Sequence, residues 1–252
     1  MARMSDRAAA GRVLVAGYPA SEPPPSILRA LADDDLAGVI MFKRNLAEGP
    51  SGAARQVRAL AAVAARAPLV AIDQEGGRVQ RLKAPVLESC RCARSGPRRR
   101  GADPIASRAG ARPSVAAIGF NVDFAPVLDV DTNPDNPVIG DRSFGADPAL
   151  VARHGWPSPA GSPTRGSSPA ASTSRGTATP STTATAAPPA LAHDMARLEA
   201  VELVPLRAAV GEVGSVMTAH IVFRALDPGG PGDLVEEGGD GASCASASAT
   251  TG

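Results

Sequence analysis

The sequence predicts an α/β fold built on a parallel sheet. Short β-branched runs recur between segments of helical periodicity along the first ninety residues and again near 120 and 215. Those runs are apolar throughout rather than alternating, as strands covered on both faces require. The length of 252 residues suits one large domain or two small ones, and a single (β/α)₈ barrel takes roughly 250 residues. Periodicity alone leaves two architectures open, a barrel and an open doubly wound sheet.

In order along the chain, residues 13–17 read as a strand and 26–37 as a helix with Ser26 as its N-cap. Residues 38–42 read as a buried strand, 52–67 as an Ala/Arg-rich helix and 69–73 as the next strand. Further on, 120–126 read as a strand, 193–210 as one helix and 215–223 as a strand.

Composition narrows the class. Hydrophobic residues make up 44% and aromatics 3%, so the core must be aliphatic. A net charge of +1 gives no global field for nucleic acid or an anionic membrane, and neither is expected as a partner. The basic residues are 24 Arg and 2 Lys, a bias that points to GC-rich codons rather than to a binding preference. No apolar run approaches the roughly 20 residues that span a bilayer. The N-terminus has no secretory apolar region, so a cytoplasmic location is expected. Cys90, Cys92 and Cys244 form no zinc pattern and are too few for a disulfide framework; they read as incidental thiols. No metal or cofactor is expected, since Gly76-Gly77 lacks the spacing of a phosphate-binding loop.

A second texture interrupts the α/β pattern at 88–113, 156–189 and 229–252. The first stretch holds seven Arg between Arg91 and Arg112, and the second has no Val, Ile, Leu, Met, Phe, Trp or Tyr between Pro157 and Pro189. Such segments bury too little apolar surface to offset the entropy of ordering, and disorder is expected there. A Ser/Thr/Pro linker fits the middle one by composition. A structureless loop of that length inside an α/β domain is anomalous.

Two motifs carry chemistry. Ile72-Asp-Gln-Glu-Gly-Gly-Arg-Val-Gln-Arg81 follows a strand directly. Carboxylate, amide and guanidinium groups at a strand's C-terminal end suit sugar hydroxyls, and the glycine pair permits a sharp turn; a plain polar turn is the competing reading. Gly119-Phe-Asn-Val-Asp-Phe-Ala-Pro-Val-Leu-Asp-Val130 leads to Ile139-Gly-Asp-Arg-Ser-Phe-Gly145, a strand entering a loop rich in Asp129, Asp131, Asp141 and Arg142. Asp141 and Arg142 could equally form a simple loop salt bridge.

These motifs, with Gly38-Val-Ile-Met-Phe-Lys-Arg-Asn45 and Ser215-Val-Met-Thr-Ala-His-Ile-Val-Phe223, resemble family 3 glycoside hydrolases in order and spacing. The likeness covers roughly two thirds of the chain, and Asp-Gln-Glu-Gly-Gly points to the bacterial β-N-acetylhexosaminidases of cell-wall recycling. It implies a (β/α)₈ barrel, here incomplete, with the fifth-strand region replaced and the last strands missing. It implies hydrolysis of terminal β-linked N-acetylglucosamine from glycans such as peptidoglycan fragments, with retention, by a monomer. It also implies that Asp73, Arg81 and Arg142 contact the sugar. His220 reads as a barrel-mouth histidine with satisfied nitrogens, and only its family position offers a catalytic role.

The chain departs from that pattern where catalysis should lie. The family's Lys-His-Phe-Pro-Gly-His-Gly-Asp-Thr motif and the following Asp-Ser-His, which supplies the acid/base, are expected between Val151 and His193 and do not occur there. The nucleophilic Asp is expected beyond Gly252. In GC-rich codons, AAG CAC TTC CCG GGG CAC GGC GAC ACC read one base late gives Ser-Thr-Ser-Arg-Gly-Thr-Ala-Thr, the sequence of Ser172 to Thr179. Likewise GAC AGC CAC shifts to Thr-Ala-Thr, so Thr183 and Thr185 stand where the Asp and the catalytic His would be. A frameshifted hexosaminidase that folds poorly and hydrolyses near background is therefore the leading expectation. A non-catalytic sugar-binding relative and an interaction protein with a linker at 157–189 are the alternatives. The coding DNA separates the first from the others, and N-acetylglucosamine binding separates the second from the third.

Overall fold

The computed structural model describes residues 6–84, 86, 114–136, 138–155, 168–172, 190–211, 213–218 and 222–226. Most of the anomalous stretches, with Thr183, Thr185 and His220, lie outside the described residues. Two compact units make up the chain: Met1–Cys90, Ala106–Phe124 and Ser162–Ser168 form the first; Arg91–Ile105, Ala125–Gly161 and Pro169–Gly252 form the second.

The first unit alternates helices and strands. Its elements are α1 (Asp6–Gly11), β1 (Val15–Ala16), α2 (Pro25–Ala32), β2 (Gly38–Met41), the 3₁₀ turn η1 (Lys43–Leu46) and α3 (Gly49–Val63). They continue with β3 (Leu69–Ile72), β4 (Gln74–Gly76), β5 (Val79–Gln80), the short helix α4 at 114–118 and β6 (Val122–Asp123). Strands β1, β2, β3 and β6 pair in that order, all parallel, with Gly38 opposite Leu69 and Ile72 opposite Asp123. The expected α/β fold with a parallel sheet is what the chain forms. Covered strands explain the unbroken apolar runs: Val39, Met41, Val70, Ala71 and Ile72 are all buried. Val39, Met41, Val70 and Ile72 pack with Tyr18, Leu31, Leu60, Leu82, Val115 and Phe120 in one core. Each large side chain so placed contributes roughly 1.5–3 kcal/mol of burial. Gly38 is needed where β2 meets β3, because a Cβ there would lie 2.1 Å from the Leu69 carbonyl oxygen.

Several boundaries differ from expectation, each for a local reason. Ser26 is not the N-cap; Pro24 holds that position, without a side-chain cap, and Pro25 begins α2. Proline suits the first helical turn because its missing N–H would find no helical partner there. The helix stops at Ala32 rather than at 37, and Asp34 follows in the left-handed region at φ 61°. The strand foreseen at 120–126 shrinks to Val122–Asp123, and Pro126 could not have donated to a ladder in any case.

The second unit contains η2 (Gly140–Arg142), α5 (Pro148–Gly155), β7 (Ser168–Ser172), β8 (Ala190–Leu191), α6 (Met195–Ala200), α7 (Leu203–Ala209), β9 (Ser215–Met217) and β10 (Val222–Phe223). Strand β7 pairs in parallel with β9, Ala170 opposite Ser215, and β8 pairs in parallel with β10. Thus a strand occurs inside the apolar-free stretch, where none was expected. Backbone pairing does not depend on apolar side chains. The single helix expected over 193–210 is two helices, interrupted at Val201, whose φ and ψ are −129° and −70°. Pro205 accounts for the break: it lacks the N–H that would bond the Val201 carbonyl, and its ring crowds that carbonyl. Asp194 caps α6, accepting from the Arg197 N–H at 2.8 Å. The strand expected over 215–223 is likewise two short strands, β9 and β10. Small apolar clusters hold this unit, among them Leu191, Leu198 and Phe223, and Val130, Phe144 and Val151. Among the described residues no helix is long and apolar enough to cross a membrane.

Candidate functional site

Strand β3 ends at Ile72 and presents Asp73 at its C-terminal end, the usual location of a site in an α/β fold. The chain then folds into the β4–β5 hairpin, turning at Gly76 and Gly77 with φ of 98° and 58°. Those are left-handed conformations that glycine adopts at little cost. The hairpin returns Arg81 to Asp73, where Arg81 Nη2 donates to Asp73 Oδ2 at 2.9 Å. The two side chains keep 27% and 16% of their surface exposed, so the pair borders solvent without being loose in it. Arg81 Nε is buried and has no hydrogen-bond partner among the described residues.

Asp123, at the end of β6, accepts from the Gln74 N–H at 3.0 Å and so joins the β6 end to the β4 start. The Gln74 side chain, only 3% exposed, grips the far side of the hairpin. Its carbonyl accepts from the N–H of Arg81 at 2.9 Å and of Leu82 at 3.1 Å, and its amide donates to the Leu82 carbonyl at 2.8 Å.

Beside this pair lies an open pocket of about 600 Å³ lined by Phe42, Lys43, Arg44 and Arg81. The Arg44 guanidinium sits over the Phe42 ring, 5.3 Å from its centroid, and its Nε donates to the Tyr18 carbonyl at 3.0 Å. Buried Asn45 fixes the turn that carries these groups. Its amide nitrogen donates to the carbonyls of Tyr18 and Ala20 at 3.0 and 2.6 Å, and its amide oxygen accepts from the Phe42 N–H at 2.7 Å. Gln56 completes the support, donating to the Asn45 carbonyl and accepting from the Tyr18 hydroxyl, both at 2.6 Å. Burial, with the negative charge of Glu22, pushes the Tyr18 phenol up to about 12, which keeps it a neutral donor.

Of the residues singled out in the sequence, Asp73 and Arg81 are brought together. Arg142 belongs to the second unit, in η2, where its Nη1 donates to the Val138 carbonyl at 3.3 Å. Ser143 beside it donates to the Asp129 carbonyl at 2.6 Å and fixes that loop. Sequence reasoning missed Gln74, Asn45 and Gln56 as supports. The only signal was polar amides beside apolar strand ends, which does not distinguish a buried clasp from a surface residue. Lys43 and Arg44 were visible only as part of a family motif, with no role attached. Among the described residues no three His, Cys, Asp or Glu side chains are grouped to hold a metal.

Comparison with known proteins agrees with this architecture. Residues 19–236 match the glycosyl hydrolase family 3 N terminal domain. A beta-hexosaminidase from Pseudomonas aeruginosa is 33% identical over 205 residues, which are 79% of this chain and 59% of that protein. This chain therefore spans about three fifths of that curated relative. A family 3 beta-N-acetylglucosaminidase from Paenibacillus sp. superposes with a TM-score of 0.70 at 29% identity, covering 92% of this chain and 45% of the other. LpqI of Mycobacterium tuberculosis superposes with a TM-score of 0.74 at 26% identity, covering 92% of this chain and 66% of the other. The alternation of parallel strands and helices, the carboxylate–guanidinium pair closing a strand end, and these matches lead to one assignment: the chain belongs to glycoside hydrolase family 3.

Proposed function

We propose that this chain carries the sugar-gripping part of a β-N-acetylhexosaminidase, built on a (β/α)₈ barrel architecture and directed at terminal β-linked N-acetylglucosamine in glycans such as cell-wall fragments. The observation that carries the reading is the Asp73–Arg81 pair at the end of β3, which borders solvent beside the pocket lined by Phe42, Lys43, Arg44 and Arg81. In this reading Asp73 accepts from sugar hydroxyls, and Arg81 supplies the oriented donors of a planar guanidinium. Charge-assisted bonds of this kind contribute about 1.5–3 kcal/mol each. Arg142 is proposed as a further sugar ligand on the family resemblance. The relatives, a beta-hexosaminidase and a beta-N-acetylglucosaminidase, support the same substrate class.

A retaining glycosidase needs a nucleophile on one face of the sugar and an acid/base on the other. On the frameshift reading, Thr183-Ala-Thr185 stands where the family's Asp-Ser-His would be, and threonine hydroxyls do not titrate near neutral pH. Loss of general acid/base assistance alone costs about 10²–10⁴-fold in rate. The chain is accordingly proposed to bind the sugar while hydrolysing it near background, and a version that carries both the family's acid/base and its nucleophile is proposed to be the active, cytoplasmic, monomeric enzyme. Calorimetric titration with N-acetylglucosamine, alongside hydrolysis of an aryl β-N-acetylglucosaminide, tests both parts. Saturable binding with background hydrolysis is expected; brisk hydrolysis by the chain as it stands, or no binding, would sink the corresponding part.

A further inference from the structure

We infer that Gln74 is a positioning residue for the sugar site: it sets where the Arg81 guanidinium points without itself touching the ligand. This rests on the reading of Asp73 and Arg81 as sugar-binding groups. Strands β4 and β5 are three and two residues long, and their pairing shifts register between Gln74 and Gly76. A two-stranded hairpin of that size is marginal on its own, so backbone pairing gives little rigidity to the chain just after β5. That is where Arg81 begins. The clasp supplies what the ladder lacks. One buried amide meets three backbone groups, the N–H of Arg81, the N–H of Leu82 and the carbonyl of Leu82; only that carbonyl has a second side-chain donor, the Gln80 amide at 3.1 Å. The Gln74 main chain is in turn held by Asp123. Leu82 is 1% exposed in the core of the first unit, so the clasp is anchored at both ends. Arg81 leaves a backbone fixed at this point and meets Asp73 with Nη2, which leaves Nε free.

The hydrogen-bond pattern dictates which substitutes can serve. The position must offer one acceptor to two N–H groups and one donor to a carbonyl. Glutamine does this, and so does a protonated glutamic acid, whose carbonyl accepts and whose O–H donates. Ionised glutamate has no donor and would set a charge against the Leu82 carbonyl. Methionine fills similar volume and offers neither function. In Gln74→Glu, the N–H groups of Arg81 and Leu82 favour the ionised carboxylate, while burial and the carboxylates of Asp73 and Asp123 favour the neutral acid; with the latter dominant, the introduced carboxyl is expected to titrate above the ordinary value of about 4.3. The clasp is then present at lower pH and lost as pH rises through that raised value.

The test uses the full chain with ¹⁵N-labelled arginine. Restricted rotation of the Arg81 guanidinium is read from its resolved Nη–H resonances, assigned by their loss in Arg81→Lys, and N-acetylglucosamine affinity is measured in parallel. Expected is an ordered Arg81 signal in wild type from pH 5 to 8, loss of that signal in Gln74→Met with about tenfold weaker sugar binding, and recovery in Gln74→Glu at pH 5 but not at pH 8. A Gln74→Met protein with unchanged Arg81 order and affinity would overturn the proposal. So would a Gln74→Glu protein that follows the wild-type pH profile, and this second comparison decides the matter if the methionine variant does not fold. Failure of wild type to bind the sugar would refute the reading of the site while leaving the Arg81 signal to judge Gln74.

Discussion

Replacing Gly38 with alanine perturbs the scaffold beneath the site at its tightest point. An added Cβ would lie 2.1 Å from the Leu69 carbonyl oxygen and 2.6 Å from the Leu69 Cβ. Both atoms belong to the neighbouring strand, so no side-chain rotation relieves the contact. Ordinary contact starts near 3.4 Å, which means β2 and β3 must separate by more than an ångström at the Gly38–Leu69 register position. Overpacking of a tight core costs about 1–3 kcal/mol, and each ladder bond stretched by the movement adds about 0.5–1.5 kcal/mol. The hydrogen bond from the Leu69 N–H to the Ala37 carbonyl, 3.0 Å long, is the first at risk. A total near 3 kcal/mol follows. With a urea dependence of about 1–3 kcal/mol/M, the unfolding midpoint should fall by about 1–3 M. Urea titration followed by far-ultraviolet circular dichroism reads this directly. Because β3 leads into Asp73, sugar affinity should weaken in the same variant. An unchanged midpoint would refute the close approach of β2 and β3 on which the placement of Asp73 rests.

Tyr18 is the sole tyrosine, so absorbance at 295 nm should follow it alone, with a midpoint about 12; an ordinary value near 10 would contradict its burial. Since the folded value is raised, Tyr18 contributes stability that is complete below the unfolded value of about 10 and declines as pH rises toward 12. Asn45→Ala should destabilise by about 1–3 kcal/mol, because the carbonyl and N–H groups it satisfies lie partly buried; a denaturation midpoint equal to wild type would show that η1 is held otherwise. Pro205→Ala should raise helical ellipticity by letting α6 and α7 continue through Val201, and an unchanged spectrum would place the cause of the break elsewhere.

Much of the scaffold was legible because covered parallel strands leave a plain trace. Runs such as Val39-Ile-Met41 and Val70-Ala-Ile72 are short, apolar on both faces and set between helical patterns, which together favour covered strands. Helix ends were less legible. Ser26 carries the side chain of a cap, yet Pro25 decides where the helix starts. The interruption at Val201 was written in Pro205, whose effect lies four residues upstream and is outweighed on inspection by the apolar periodicity around it. At the site, Asp73 and Arg81 could be paired from the motif, since a glycine turn between them brings position 81 back toward 73. The buried amides could not. Gln74 and Asn45 act through hydrogen bonds to backbone groups remote in sequence, as Asn45 does to Tyr18, and no local pattern announces such a partner. Strand β7 was missed for a different reason. Its Ser, Pro and Ala residues have no strand propensity to read, and its pairing depends on β9, more than forty residues away.

The most direct test of the account is a calorimetric titration of N-acetylglucosamine into the wild-type chain and into Asp73→Asn. Saturable binding to wild type is expected, with an affinity about tenfold or more lower in the variant, because the substitution removes the carboxylate that holds Arg81 and is proposed to accept from the sugar. Equal binding to both proteins, or binding to neither, would contradict the assignment of the β3 end as the sugar site.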